Sequence, residues 1–183
     1  MIKHPLYAVA AMLVATLSAI AQSAVGEPPV ELQVIRGYAG VWDAEFEVWP
    51  GGPEAASIKF KGVETNRPYG EYWIASDLVS QVGSQTTRVH SIVGYDLDQK
   101  QLVGMIIDDG PYAATMAGQY DAESQTVTWT VKGKMPDGKP LLQVTKITQL
   151  SPTERVLVLT MPGEGDGPAA KIMQIRFTKR SDP

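Results

Sequence analysis

The side chains of this 183-residue sequence that could do chemistry stand far apart. His90 is the one histidine beyond the first four residues, and there is no cysteine. A zinc ion at His90 would therefore have to draw its other ligands from carboxylates, which is a poor donor set for zinc. One axial histidine suffices to hold haem, but a solvated or hydrogen-bonded strand histidine is the plainer use of such a residue. A Ser-His-Asp relay fails locally: Ser91 follows His90 directly, and neighbours in an extended chain point to opposite faces. No Gly-x-Ser-x-Gly elbow is present.

Carboxylates give a similar answer. Asp108 and Asp109 could act as a general acid/base pair if one pKa were displaced, yet Asp109-Gly110 is also the dipeptide of a tight hairpin turn. Asp96-Leu97-Asp98-Gln99-Lys100 sets two acids at alternate positions but lacks the glycine and the terminal glutamate of a calcium loop. Gly163-Glu164-Gly165-Asp166-Gly167-Pro168 imitates a phosphate loop, but two acids would repel phosphate and neither a helix nor a lysine follows. No metal or cofactor is expected. A non-catalytic protein is the favoured reading, with Asp108 or His90 as acid/base in an enzyme site as the alternative.

The aromatic side chains form a larger set. Trp42, Phe46, Phe60, Trp73, Trp129 and Phe177 could line an apolar ligand cavity or fill a solid core. Ala44, Gly62 and Gly104 fall at inward positions and would leave room, which favours the cavity.

The elements that must position these residues are strands. Trp42, Ala44, Phe46 and Val48 alternate with Asp43, Glu45 and Glu47, the period of a strand with one dry and one wet face. Val127, Trp129 and Val131 alternate with threonines in the same way. Strands are expected at 41–49, 57–66, 71–82, 86–96, 101–108, 112–120, 126–132, 141–150, 154–161 and 169–179. Links such as Asp109-Gly110, Asp137-Gly138 and Ser151-Pro152 are too short for parallel crossovers. About ten antiparallel strands in up-and-down order remove their exposed edges most simply by closing into a barrel. One short helix is expected between Pro29 and Tyr38, with Val30, Val34 and Ile35 on one side, capping a barrel end.

Residues 1–21 read as a cleaved secretory signal: Lys3 and His4 precede an apolar run from Ala8 to Ile20 that ends in Ala19-Ile20-Ala21. Residues 22–39 form an N-terminal segment with the capping helix, and 40–180 form one β-barrel domain. The run is shorter than the roughly 20 residues that cross a bilayer, so no membrane insertion is expected after cleavage. The formal charge is −4, and cleavage removes Lys3 and no acid, which argues against nucleic acid as a partner. The expected location is the periplasm or the exterior. The sequence does not give the oligomeric state.

A series of short motifs runs in order along the chain: Gly40-Val41-Trp42, Gly94-Tyr95-Asp96, Val103-Gly104, Ile107-Asp108, Gly118-Gln119-Tyr120-Asp121 and Met173-Gln174-Ile175-Arg176-Phe177-Thr178. Together they resemble the bacterial family known as domain of unknown function 1579, over roughly residues 33 to 180. The resemblance implies a calycin-like barrel, similar in outline to lipocalins, with no established activity and no haem ligand. It also implies structural roles for Gly40, beside Trp42 at the barrel floor, and for a C-terminal arginine laid across that Trp42 ring, with Arg176 the first candidate and Arg180 the second. The chain departs from the family pattern at Ile106 and at Tyr72-Trp73. Three functions follow as expectations: a carrier of a small apolar or amphipathic ligand, an enzyme of the barrel mouth, or a module whose outer wall docks a partner.

Overall fold

The computed structural model describes residues 28–162 and 169–181. The expected signal segment, residues 1–21, and the expected loop at 163–168 lie outside the described residues. Ten strands follow one short helix: α1 (Val30–Arg36), β1 (Gly40–Val48), β2 (Ile58–Tyr69), β3 (Trp73–Val82), β4 (Gln85–Asp96), β5 (Gln101–Asp108), β6 (Ala114–Asp121), β7 (Thr126–Lys134), β8 (Pro140–Ser151), β9 (Glu154–Met161) and β10 (Ala170–Lys179). Each strand begins within two residues of the position that alternation gave it.

Every strand pairs antiparallel with its sequence neighbour, and β1 pairs with β10 from Trp42↔Lys179 to Val48↔Met173, which closes the barrel. Closure leaves no edge with unpaired N–H and C=O groups. The register carries inward positions around the wall: Ala44 lies beside Gly62, Gly62 beside Ser80 and Ser80 beside Thr87. On the far side Gly118 faces Trp129, Trp129 faces Thr145, and Leu157 faces Ile175. Two irregularities, between Gln149 and Ser151 and between Lys171 and Met173, interrupt this register.

Helix α1 starts after Pro29, whose extended ψ of 153° suits the position before a helix, with Glu31 in the first turn and Arg36 in the last. Its buried residues are Leu32 and Ile35, one turn apart on a single face, whereas Val30 is 55% exposed. The expected stripe was thus misplaced at its first residue, because a helix of two turns offers only one such pair to the barrel. Leu32, Ile35 and Tyr38 pack with Leu102, Val127 and Trp129 and close that end. Arg36 Nη1 donates to the Glu71 carbonyl at 3.0 Å and ties the helix to the β2–β3 turn.

Gly40 has φ +113°, a region that favours glycine, and a Cβ there would stand 3.0 Å from the Lys179 stem. Among the described residues, no helix is long and apolar enough to cross a membrane.

Candidate functional site

The barrel encloses a cavity of about 450 Å³. That lies within the ~300–1,000 Å³ range of small-molecule pockets. Its wall is apolar over most of its extent, formed by Leu78, Val89, Met116, Val131, Leu157 and Ile175 among others. Phe46 and Phe60 belong to it as a stacked pair, with centroids 4.5 Å apart and planes 15° apart. Trp129 and Phe177 belong to it as well. At the mouth stand Asp108, Gly110, Pro111, Tyr112, Lys134 and Pro136, with the Lys134 ammonium 5.6 Å from the Tyr112 ring centre.

The floor is polar beneath these walls. Arg155, 2% exposed, lies with its guanidinium carbon 4.4 Å from the ring centres of Tyr38, Trp42 and Phe177. That is a cation–π setting on three rings at once. Its Nη2 donates to Glu64 Oε2, which also accepts from Asn66 Nδ2 at 2.7 Å; Ser76 Oγ in turn donates to Asn66 Oδ1. Trp42 Nε1 donates to the Tyr38 carbonyl at 2.7 Å and fixes the chain where it leaves α1. The Tyr38 hydroxyl and Arg155 Nε are buried without a hydrogen-bond partner. Burial pushes the Tyr38 hydroxyl up to about 12, opposed by the Arg155 charge and reinforced by Glu64.

The structure separates the residues that the sequence grouped. Phe46, Phe60, Trp129 and Phe177 come together around the cavity. Trp42, fully buried, lies under Arg155 rather than on the open wall. Trp73 does not line the cavity: it sits on the face opposite inward Ile74, with its ring over Gly94 where a Cβ would stand 2.4 Å from Cε3. Gly62 and Gly104 do not supply the room expected of them, since Phe46, Ser80 and Val93 occupy the space above them.

Arg176 is not the arginine across Trp42. It points outward and pairs with Glu154 at 3.0 Å, because Ile175 and Phe177 on either side of it face in. Arg155, one strand earlier, takes the place. Alternation within Ile175-Arg176-Phe177 was the signal that excluded Arg176. No comparable signal marked Arg155, because Val156, Leu157, Val158 and Leu159 after it are apolar on both faces.

His90 lies on the outer wall, where Nδ1 meets Asp77 Oδ1 at 2.8 Å and Arg67 meets the other carboxylate oxygen at 3.2 Å. It does not reach the interior where haem would lie. Asp108 does face the mouth, but its Oδ1 accepts from Gly110 N at 2.7 Å, while Asp109 Oδ2 accepts from Arg88 N at 2.9 Å. Asp108 is taken up by the β5–β6 link and Asp109 by the backbone of β4, and His90 and Asp108 are not one site. Asp96 Oδ1 likewise accepts from the backbone of Asp98 and Gln99, and these bonds with the Gln99 side chain hold its carboxyl below the usual range. No cluster of three or more histidine, aspartate or glutamate side chains is placed to hold a metal among the described residues.

Residues 27–179 match the family model described as Protein of unknown function (DUF1579), and the chain belongs to that family. No curated protein matches it. Among solved structures the chain is similar to Rv2717c from M. tuberculosis, with TM-score 0.60 at 10% identity over 85% of this chain and 100% of that one. It is also similar to the S-type phycobiliprotein lyase CPES from Guillardia theta, with TM-score 0.56 at 7% identity over 82% and 93%. At such identities the likeness is one of fold.

Proposed function

We propose that this member of the DUF1579 family is an exported, non-catalytic carrier that holds a small apolar or amphipathic molecule inside its barrel. The enclosed cavity of about 450 Å³ carries this reading, because an apolar hollow lined by aromatic rings binds apolar matter more readily than water. Polar groups gathered at one end would orient what enters. The likeness to a phycobiliprotein lyase adds a fold-level analogy and no more. Export is part of the proposal on the strength of the basic and then apolar leader ending in Ala19-Ile20-Ala21.

Native mass spectrometry of the protein purified from its own cell envelope tests both parts. A stoichiometric small molecule released on denaturation is the expected result, on a chain whose first residue is Gln22. A barrel that is repeatedly empty would overturn the carrier reading, and an N-terminus still at Met1 would overturn export.

A further inference from the structure

The carrier reading leaves the ligand's chemistry open, and the floor of the barrel narrows it. Glu64 and Arg155 form an ion pair whose side chains are only 13% and 3% exposed. Both hydrogen bonds to the carboxylate, from Arg155 Nη2 and Asn66 Nδ2, reach Oε2. Among the described residues none reaches Oε1. Beside it the Tyr38 hydroxyl and Arg155 Nε are buried donors without acceptors. Tyr38, Glu64 and Arg155 all contribute to the cavity wall. One small region therefore sets a carboxylate oxygen without a protein donor beside two buried groups without partners, and buried polar groups in that state are rare in folded proteins.

We infer that the floor receives the hydroxyl group of a neutral, otherwise apolar ligand, whose oxygen accepts from Tyr38 or Arg155 and whose proton goes to Glu64 Oε1. This rests on the carrier reading and adds the class of ligand to it. A hydroxyl is the small group that donates and accepts through one atom. An ether or ester oxygen would satisfy the donors and leave Oε1 unmet. A carboxylate would bring a second negative charge beside Glu64, and an ammonium a second positive charge beside Arg155. The pair is already neutral, so either charge would lie buried and uncompensated. The rest of the ligand meets Leu78, Val89, Leu157 and Ile175, which offer no polar group.

The test uses the purified protein loaded with the fluorescent reporter N-phenyl-1-naphthylamine and displaced by matched chains: decanol, its isomer nonyl methyl ether, decanoate and decylammonium. Decanol is expected to displace the reporter at concentrations about tenfold lower than the other three, the effect of one well-made buried hydrogen bond. Tyr38→Phe, which removes only the hydroxyl, should weaken decanol about fivefold to tenfold. The wild-type series decides alone if that variant does not fold. Displacement by decanoate, decylammonium or the ether as effective as that by decanol would overturn this inference and leave the carrier standing. Failure of the reporter and of every chain to bind would overturn the carrier reading, and the inference with it.

Discussion

Replacing Arg155 by methionine removes the buried cation on which the barrel floor is assembled. Methionine keeps an unbranched apolar stem against Tyr38, Trp42 and Phe177, so the rings keep most of their packing. What is lost is the partner of Glu64, whose side chain is 13% exposed and keeps only Asn66 as donor. Breaking a buried ion pair from one side costs about 3–5 kcal/mol, because the remaining charge is left in a poor solvent. Domains of this kind are stable by about 5–15 kcal/mol, so Arg155→Met should fold yet lose a large share of its margin. With a urea slope of about 2 kcal/mol per molar, the unfolding midpoint should fall by roughly 2 M. Adding Glu64→Leu removes the stranded charge and should return the midpoint to within about 1 kcal/mol of wild type. Arg176→Met provides the contrast, since its pair with Glu154 lies on the outer wall, half exposed, and should cost under about 1 kcal/mol. Urea unfolding followed by tryptophan emission reads all four proteins. If Arg155→Met stays within about 1 kcal/mol of wild type, or the double variant is worse than the single, the account of the floor is wrong.

Gly118→Val should destabilise by about 1–3 kcal/mol and shift tryptophan emission, because a Cβ at 118 would stand 2.6 Å from Cε3 of Trp129; thermal unfolding checks it. The Tyr38 hydroxyl, raised from 10.0 to about 12, stays protonated in the folded chain after it has ionised in the unfolded one. Its contribution is therefore whole below pH ~10 and is lost, by about 3 kcal/mol, as pH rises through about 12. Urea midpoints measured across that window should fall in the wild type and fall less in Tyr38→Phe. His90→Ala, on the outer wall with Asp77, should change stability by under about 0.5 kcal/mol and leave reporter binding unaltered, which fluorescence titration checks.

Much of the architecture was legible in the residues, because a strand writes its period locally. Trp42-Asp43-Ala44-Glu45-Phe46 needs no distant information to declare which face is dry, and Asp137-Gly138 declares a turn that the structure makes with Gly138 at φ +84°, whereas Asp109-Gly110 opens a five-residue link instead of a tight turn. Ten such strands with links this short left antiparallel closure as the natural outcome, and β1 pairs with β10 accordingly. The helix was legible in place but less so in facing. Two turns of α1 give too few positions to fix a stripe, and the barrel selected Leu32 and Ile35 over Val30.

The site was only partly legible. By itself the sequence determined the inward residues of the strands that alternate clearly, and so gave Phe46, Phe60, Trp129 and Phe177 together with the lack of a second histidine beside His90, but it also grouped Trp73 with them, which the structure turns away from the cavity. Tertiary structure alone decided which strands meet across the hollow. Glu64 and Arg155 are 91 residues apart, and they share the floor with Tyr38 because closure and register bring β2, β9 and the end of α1 to one level. Alternation could not announce this, since β9 is apolar on both faces after Arg155 and a lone arginine reads like any surface base. Whether the interior was hollow was likewise a property of the closed wall. Cavity volume depends on how side chains from opposite strands interdigitate, which no single strand encodes.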